Sequence, residues 1–577
     1  MLNKNPYLSF DFSNANGDRD MFDFINPIEV IVANHIDEVI PALNKIEKAT
    51  DDGFYAAGYL SYEAAPAFNN QFLVHETSDM PLLWFGIFKE PQIEQKVSEN
   101  KPFHLTDWKP NIPTKKYNDS IDKIHDYIRS GKTSQVNYTL QMDAQFSGDS
   151  FSFYKQLKEA QSNYSAFLDL GKFTILSASP ELFFHLNNQT ITTKPMKGTA
   201  ERGLTFEQDI KNAEWLANSE KNRLENKMVV DLMKVELEEI ATEDSIHLAS
   251  AYDVEKYPTV YQMTSTINAE LAQDKTITNI FEALFPCGSI TGSPKINTMD
   301  IIKELEVNSR EVYCGAIGFI TPEKRATFNV PIRTVYINNE TNEAKYGVGG
   351  AITIDSTKEE EYKEILTKAN ILTKKSETFE LLETIGLSDG EFIVLDEHFA
   401  RLKQSATYFD FAINLDSIKK NLKDIAAQQP TGTYKVRLTM TKDGKFSSKI
   451  EEIYPMTDIQ TVQLANEPIN KENLFLYHKT TNREMYEPFS TSGTFDTLLW
   501  NDEKEVTEFT IGNIVAEKDG TFYTPPVSSG LLPGTFRQSL LNSGKIQEKT
   551  IKVSDLNTYD SLWFINSVRQ WVRVKLA

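Results

Sequence analysis

The chain has 577 residues, which is too long for one hydrophobic core and corresponds to about three to five compact units. With 40% hydrophobic and 25% charged residues, its composition excludes a disordered or fibrous chain. The formal net charge of −22 argues against nucleic-acid binding, and the two cysteines, Cys287 and Cys314, exclude a disulfide scaffold and a multi-cysteine zinc site.

The first residues, MLNKNPYLSFDFSN, contain no apolar core of signal-peptide length. No run of about 18 apolar residues occurs anywhere in the chain. We therefore expect a cytoplasmic protein that contacts neither membrane nor nucleic acid.

The predicted elements of residues 1–110 are short alternating runs separated by polar turns, which indicates antiparallel sheet. Isoleucines at helical spacing predict a helix over 115–131, and further helices are predicted around 151–162 and 207–240. Strands and helices then alternate up to a last helix at 362–375.

A domain boundary is predicted at 372–378, because a new pattern begins there. Beyond it come a strand, an Asp389-Gly390 turn, a second strand and a helix. We therefore predict a first domain over 1–374, with a sheet region at 1–110 and catalytic core motifs at 115–374, and a second domain over 378–577.

Lys197 lies in the stretch TTKPMKGTAERG, where a predicted strand runs into a glycine turn. From this stretch alone, a solvated lysine at a strand end is the simpler interpretation. The alternative is a lysine that a cleft tunes as a nucleophile. Glu181 stands sixteen residues upstream, in SASPELFF.

Three glutamates form a possible metal site. Glu225 projects with the apolar stripe of its helix, so it needs a partner, either a buried cation or a metal. Glu361 and Glu364 share a helical face after a glycine-rich strand, although an acidic first turn is also common on solvated helices. If Glu225 and Glu364 converge, their oxygens suit Mg²⁺.

The order of motifs in residues 1–374 resembles the chorismate-utilising family. The motifs are GYLSYEAAPAF, SQVNYT, SASPELFF, KPMKGT, ENKMVVDLM, PCGSITGSPKINTMDIIKELE, VYCGAIGFI, FNVPIRT and GVGGAITIDSTKEEEYKE. The resemblance implies a two-layer α/β fold that binds Mg²⁺ and chorismate, a small dianion.

The resemblance also implies roles for individual residues. Glu225 and Glu364 would be direct metal ligands, with Glu361 next to the site. The residues expected to contact substrate are Arg333 and Tyr313 at its carboxylates, Ser289 through its hydroxyl, and Gly349 and Gly350 through their backbone N–H groups.

Lys197 separates two branches of this family. Anthranilate synthases carry alanine in this turn, whereas aminodeoxychorismate synthases carry lysine. The resemblance implies that the lysine attacks ring carbon 2, that the 4-hydroxyl departs and that ammonia enters at carbon 4, with Glu181 as general acid and base. Glutamine hydrolysis would need a cysteine nucleophile, and both cysteines lie inside family motifs. A separate glutamine amidotransferase chain, or free ammonia, is implied.

In the second domain, Lys479 stands in FLYHKTTNREMYE, where a surface lysine is the simpler interpretation. Glu508 follows, and a helix is predicted to open at PGTFRQSLL, whose backbone N–H groups can bind an anion. Lysine, carboxylate and phosphate cradle together suggest pyridoxal phosphate.

LDEHFARLKQSATYF and INSVRQWVRV add to a resemblance to the class IV pyridoxal-phosphate enzymes. This resemblance implies Lys479 as the cofactor lysine and Glu508 as the partner of the pyridine nitrogen. Arg401, Gly534 and Thr535 would contact the phosphate.

The resemblances together imply an α+β, multidomain fusion that aminates chorismate and converts the product to 4-aminobenzoate and pyruvate for folate synthesis. One alternative is an anthranilate or salicylate synthase fused to a class IV aminotransferase. Another is an inactive fusion that serves as a scaffold for an amidotransferase. Lys197 argues against anthranilate synthesis, and the intact lysines and glutamates argue against a scaffold.

Overall fold

The structure is a computed structural model that describes residues 6–577 except 14–18, 78, 93–99, 161–162, 374–377, 455, 457 and 491–492. The chain divides into two compact units. The first consists of Met1–Glu201 with Ala213–Ser376, and the second of Arg202–Asn212 with Glu377–Ala577. Most of the boundary predicted at 372–378 lies outside the described residues.

The first unit is built from two antiparallel sheets. Its strands are β1 (Tyr7–Ser13), β2 (Arg19–Ile25), β3 (Glu29–Ala33), β4 (Tyr55–Leu60), β5 (Leu83–Phe88), β6 (Phe103–Leu105), β7 (Lys109–Pro110), β8 (Gln135–Gly148), β9 (Tyr164–Asp169), β10 (Phe173–Ser179), β11 (Leu182–Asn187), β12 (Thr190–Lys194), β13 (Met196–Glu201), β14 (His247–Lys256), β15 (Val260–Glu270), β16 (Gly292–Ser293), β17 (Ala316–Ile320), β18 (Arg325–Asn329), β19 (Thr334–Asn338) and β20 (Glu343–Ile352).

One sheet has the strand order β16-β8-β20-β19-β10-β9-β1-β2, with β6 and β7 also paired to β8. The other has the order β13-β15-β12-β11-β18-β17-β4-β5-β3, with β14 also paired to β15. Side chains of both sheets share one apolar core, so the sheets pack face to face. The antiparallel sheet predicted for residues 1–110 is confirmed.

Helices cover the outer faces of both sheets. They are α1 (Ile36–Asp51), α2 (Thr114–Arg129), α3 (Ser150–Ala160), α5 (Glu220–Glu238), α6 (Ile277–Leu284), α7 (Lys295–Leu305) and α8 (Lys358–Ala369). The helix α4 (Phe206–Asn218) begins in the segment of the second unit and ends in the first unit.

The helices predicted at 115–131 and 151–162 are confirmed as α2 and α3, although residues 161–162 lie outside the described part. The single helix predicted over 207–240 was wrong, because the chain breaks at Ser219 into α4 and α5. Ser219 is the N-cap of α5, and its side chain accepts a hydrogen bond from the Asn222 N–H.

The second unit contains two sheets, ordered β22-β21-β23-β24 and β27-β26-β25-β32-β31-β28-β29-β30. The Asp389-Gly390 hairpin and the helix predicted at PGTFRQSLL are confirmed. Its elements beyond the segment Arg202–Asn212 are β21 (Leu381–Ser388), β22 (Glu391–Phe392), α9 (Leu395–Phe409), α10 (Leu415–Gln428), β23 (Thr433–Met440), β24 (Phe446–Glu452), β25 (Gln460–Leu464), β26 (Thr497–Trp500), β27 (Val506–Phe509), β28 (Gly512–Lys518), β29 (Thr521–Thr524), α11 (Thr535–Asn542), β30 (Gln547–Glu548), β31 (Ser561–Asn566) and β32 (Gln570–Leu576).

Within the described part of the chain, every helix is too short or too polar to cross a membrane.

Candidate active sites

Lys197 lies on β13, between the paired strand β15 and the helix α5. Asn226 of α5 donates to the Lys197 carbonyl oxygen at 3.4 Å, which ties the strand to the helix. Burial is the largest influence on the half-buried Lys197 amine and lowers its pKa. The charges of Glu225, Glu364 and Glu181 act in the opposite direction, whereas the charge of Lys368 acts in the same direction as burial. The amine therefore lies in the field of acidic side chains that come from three different elements.

Glu181 follows β10 and is only 3% exposed. The Ser289 hydroxyl donates to Glu181 Oε1 at 2.6 Å. Burial raises the pKa of Glu181 to about 7, although the Ser289 hydrogen bond and the Lys197 charge oppose that rise. At neutral pH this carboxyl group is therefore partly protonated, which suits a residue that both gives and takes a proton.

Arg333 provides a positive charge that no acidic side chain neutralises among the described residues. It is half-buried and adopts a φ of +52°, just before β19. Burial lowers the pKa of Arg333, but a guanidinium stays charged at neutral pH. Nearby in the same unit, Tyr313 is 6% exposed and its ring lies against Gly347. A partly buried guanidinium without an acidic partner is suited to bind a carboxylate from outside the chain.

Glu361 and Glu364 lie on α8 and face Gly350 of β20. Glu361 accepts a hydrogen bond from Ser356 Oγ at 2.6 Å. Lys368 Nζ lies 2.6 Å from Glu364 Oε1 and donates to the Gly349 carbonyl at 2.8 Å. The glycine-rich strand and the acidic helix are thus held together by one lysine.

Glu225 lies half-buried on α5, and its charge acts on Lys197. The described residues contain no group of three or more acidic, histidine or cysteine side chains that could hold a metal ion. The carboxylate oxygens of Glu225, Glu361 and Glu364 are the donor type that Mg²⁺ prefers, and two of them already face the same glycine. The oxygen atoms of these three glutamates fit Mg²⁺ chemically, whereas it remains a prediction that all three carboxylates converge on one ion.

Lys479 is the corresponding lysine of the second unit. Its backbone carbonyl accepts a hydrogen bond from Leu382 N at 3.0 Å, so β21 fixes the main chain beside it. Burial lowers the pKa of Lys479 to about 7, and the positive charges of Arg401 and Arg483 add to the effect. Glu383 and Glu508 oppose it. A large share of neutral amine is therefore present at neutral pH, as a Schiff-base lysine requires.

Glu508 of β27 is 3% exposed and accepts three hydrogen bonds. The donors are Tyr486 OH at 2.7 Å, Leu532 N at 3.1 Å and Asn513 Nδ2 at 3.3 Å. Burial nevertheless raises the pKa of Glu508 to about 8. The carboxyl group thus holds a proton that it can share with a pyridine nitrogen.

Arg401 of α9 is bound by Glu383, which accepts from Nε at 3.0 Å and from Nη2 at 2.6 Å. His398 Nδ1 lies 2.6 Å from the same carboxylate. Burial opposes ionisation of Glu383, but Arg401 and His398 outweigh it and lower its pKa to about 2. Arg401 also donates to the Pro533 carbonyl at 3.2 Å, which places it beside the predicted phosphate turn.

The turn at Gly534 and Thr535 opens α11, and no side chain caps this helix end. A Cβ atom on Gly534 would lie 1.9 Å from Asn513 Oδ1, so any other residue there would displace the Asn513 side chain that donates to Glu508. Thr535 Oγ1 lies 3.1 Å from His398 Nε2. Glu508 and Arg401 therefore both bond to the turn at the uncapped start of α11, and the charges of both act on Lys479. This set of groups fits pyridoxal phosphate.

Sequence reasoning missed Glu383, His398 and Asn513. Glu383 shares the face of β21 with Leu381 and Ile385, all buried, so a carboxylate in an apolar alternation was a usable signal. Asn513 is paired with Glu508 across the β27–β28 hairpin, which the sequence alone could also have indicated.

Family models match both units. A model of chorismate binding enzymes matches residues 10–374, and a model of class IV aminotransferases matches residues 380–577.

Two curated relatives and one solved structure are similar to the first part. Aminodeoxychorismate synthase component 1 of Escherichia coli (strain K12) is 38% identical over 285 residues, which cover 49% of this chain and 62% of that protein. The component 1 of Bacillus subtilis (strain 168) is 35% identical over 265 residues, which cover 46% and 56%. The structure of anthranilate synthase component I from Streptococcus pneumoniae TIGR4 gives a TM-score of 0.52 at 22% identity, covering 65% of this chain and 93% of that one. The match thus spans less than two thirds of the curated relatives' length, and the structural likeness concerns the fold.

Proposed function

The chain belongs to the family of chorismate binding enzymes and carries a class IV aminotransferase domain after it, and from this premise we propose that it makes 4-aminobenzoate from chorismate and ammonia in two steps. The observation that carries the proposal is that each unit contains a lysine whose pKa is lowered by burial together with a glutamate whose pKa is raised by burial. Lys197 accompanies Glu181 in the first unit, and Lys479 accompanies Glu508 in the second.

In the first step, Arg333 and Tyr313 hold the carboxylates of chorismate. The neutral amine of Lys197 attacks ring carbon 2, the ring double bonds shift, and the bond from carbon 4 to its hydroxyl breaks. Glu181 gives its proton to that hydroxyl, which leaves as water. Ammonia then bonds to carbon 4, Lys197 leaves carbon 2, and Glu181 takes the proton that ammonia releases.

Glu225 and Glu364, with Glu361 beside them, would hold Mg²⁺ in this unit. When bound, the ion supplies positive charge for substrate oxygens in a chain whose formal net charge is −22. Lys368, which now pairs with Glu364, would keep that carboxylate in place until then.

In the second step, pyridoxal phosphate supplies an electron sink when it is bound. Lys479 would bind its carbon, Glu508 would give a proton to its pyridine nitrogen, and the turn at Gly534 and Thr535 would bind its phosphate. With Glu383 already neutralising its charge, Arg401 supports that turn and contributes less net charge to the phosphate than an unpaired arginine would. Once the substrate's amine has replaced it on the cofactor, the freed Lys479 amine would take the proton from ring carbon 4. The bond from carbon 3 to the enolpyruvyl oxygen would then break, the departing enolpyruvate would take up a proton to become pyruvate, and the ring would become aromatic.

The ammonia comes from outside this chain. Burial raises the pKa of both Cys287 and Cys314 to about 12, so neither thiol is suited to act as the nucleophile of glutamine hydrolysis. We infer that a glutamine amidotransferase, as a separate chain, supplies the ammonia.

Product analysis tests the proposal. The chain is incubated with chorismate, ammonium, Mg²⁺ and pyridoxal phosphate, and the products are separated by chromatography. We expect 4-aminobenzoate and pyruvate in equal amounts. Anthranilate or salicylate instead would support the alternative fusion, and no turnover of chorismate would support the scaffold.

A further inference from the structure

The second unit includes the segment Arg202–Asn212 from the first half of the sequence. Three residues of this segment, Arg202, Gly203 and Asp209, are bonded to one another, and we call them the clasp. Asp209 accepts from Arg202 Nε at 2.7 Å, from Arg202 Nη2 at 2.8 Å and from Gly203 N at 2.9 Å. The two charged side chains are 6% and 3% exposed. A Cβ atom on Gly203 would lie 2.2 Å from Asp209 N, so the clasp requires glycine there.

The clasp holds Tyr408, near the end of α9. Arg202 Nη2 donates to the Tyr408 carbonyl at 3.0 Å, and Tyr408 OH donates to the Gly203 carbonyl at 2.8 Å. The Arg202 guanidinium also lies over the Tyr408 ring, 4.3 Å from its centroid. Backbone, hydroxyl and ring of one tyrosine are therefore all contacted by Arg202 and Gly203, which Asp209 holds in place.

The Tyr408 ring also lies beside His478, the residue before Lys479. The two ring centroids are 4.4 Å apart, and Ser405 Oγ lies 3.1 Å from His478 Nδ1. Burial lowers the pKa of His478 to about 4, so its imidazole is neutral. The Leu204 backbone faces the imidazole and favours its charged form, but among the described residues no hydrogen bond of good geometry reaches Nε2.

We propose that the clasp is a positioning device for Lys479, acting through Tyr408 and His478 to fix the lysine's main chain and to keep water from its amine. This inference rests on the proposed function of Lys479 as the cofactor lysine. It makes the segment Arg202–Asn212 part of the second active site, although the segment lies outside the residues that the class IV family model matches.

The charges that face Lys479 itself are those of Arg401, Arg483, Glu383 and Glu508, and none of them belongs to the clasp. Arg202 and Asp209 act electrostatically on His478 instead. Opening the clasp therefore changes the burial of Lys479 more than its charged surroundings. Because burial is the main cause of the low pKa of Lys479, the pKa should rise when water enters.

The test uses full-length chains with Arg202→Ala, Tyr408→Phe and the matched control Glu207→Gln. Glu207 belongs to the same segment, but it only accepts a hydrogen bond from Gln404 at the exposed rim. The readouts are the dissociation constant of pyridoxal phosphate and the pH dependence of the rate at which its lysine-bound visible absorbance appears.

We expect Arg202→Ala to weaken cofactor binding and to slow the appearance of the lysine-bound absorbance by about 10- to 100-fold, because a displacement of about 1 Å can lower the rate at a reacting group by about 100-fold. The midpoint of the pH dependence should move upward, with a smaller shift in Tyr408→Phe and none in Glu207→Gln. A role in folding alone would not move that midpoint.

If both Arg202→Ala and Tyr408→Phe matched the wild type in affinity and midpoint, the inference would be wrong. Should Arg202→Ala fail to fold, Tyr408→Phe decides alone, because it loses only one hydroxyl. A wild-type chain that takes up no pyridoxal phosphate would overturn the proposed function and this inference together. A wild type that binds normally beside unaffected variants would overturn the inference only.

Discussion

Lys197 and Lys479 are the two lysines on which the proposed chemistry depends, and their surroundings differ in sign. Around Lys197 the acids Glu225, Glu364 and Glu181 raise the pKa against the effect of burial. Around Lys479 the cations Arg401 and Arg483 act in the same direction as burial. Burial lowers the pKa in both places, but the largest charge effect, from Glu225, opposes burial at Lys197, whereas the largest charge effect at Lys479, from Arg401, reinforces it.

The difference matches the chemistry proposed for each site. A lysine among acids can share the site with a metal ion and a dianionic substrate, whose charges change when they bind. A lysine among cations lies where a phosphate and a carboxyl group are expected, and it offers a neutral amine from the start. The same residue type is therefore prepared in two ways, and the predictions below separate them.

The largest effect is expected for Lys479→Ala, because it removes both the cofactor linkage and the base of the second step. Conversion of supplied aminodeoxychorismate should fall by about 10⁴-fold. The visible absorbance of the lysine-bound cofactor should disappear, whereas amination of chorismate should continue. Lys403→Ala, an exposed lysine on α9, is the control. Retained visible absorbance in Lys479→Ala would show that another lysine holds the cofactor.

Lys197→Ala should show the reverse pattern. Amination at carbon 4 should fall by about 10³-fold, because covalent catalysis replaces one difficult displacement by two easier ones. The second step should be unchanged, and the control is Lys221→Ala, an exposed lysine on α5.

Mass spectrometry of the wild type after exposure to chorismate should detect the adduct on Lys197. Normal amination by Lys197→Ala would return this lysine to the interpretation of a solvated strand end. The variant could also form anthranilate, since its turn would then resemble that of anthranilate synthases, and the product assay detects both compounds.

The sequence predicted the secondary-structure elements better than it predicted the partners of the charged side chains. The spacing of isoleucines was enough for α2, and the Asp-Gly pair was enough for the β21–β22 hairpin. The break at Ser219 was missed because the apolar pattern continues on both sides, and only the cap of α5 separates two helices. Apolar periodicity indicates which face of a helix is buried, but it does not show where a helix ends, since here the boundary depends on the single hydrogen bond of the Ser219 cap.

The partners of charged residues were harder to predict. Arg401 was expected to serve the phosphate, but its guanidinium is bound by Glu383, eighteen residues earlier in the chain. Likewise, Ser289 was expected at the substrate and its hydroxyl is bound to Glu181. These pairings depend on which side chains the fold brings together, and the sequence around each residue does not indicate its distant partner.

Glu225→Gln and Glu364→Gln test the acidic side of the comparison. Each should weaken the Mg²⁺ dependence of amination by about 10- to 100-fold, as loss of a metal-site carboxylate commonly does. The measurement is the Mg²⁺ concentration at half-maximal rate. Glu360→Gln, on the exposed side of the same helix, should leave it unchanged. If the second step fell equally in a well-folded variant, the assignment of the two steps to separate units would be wrong.

The smallest effect concerns Ser289, whose hydrogen bond lowers the pKa of Glu181. Burial raises that pKa to about 7, and Glu181 must be protonated to release the 4-hydroxyl of chorismate as water. The rate of amination should therefore decline as pH rises through about 7. In Ser289→Ala the carboxylate loses a donor, so the protonated form persists to higher pH.

The high-pH limb of the profile should then move upward by about one pH unit, because a hydrogen bond to a charged group contributes about 1.5–3 kcal/mol at most and one pKa unit corresponds to about 1.4 kcal/mol. The measurement is kcat against pH with ammonia at constant free concentration. The control is Ser245→Ala, a half-buried serine that donates to the Thr242 carbonyl and accepts from the Glu270 N–H. A limb that stays in place in Ser289→Ala would mean that Glu181 is not the acid that titrates in this step, and the proton for the departing hydroxyl would have to come from another group near Lys197.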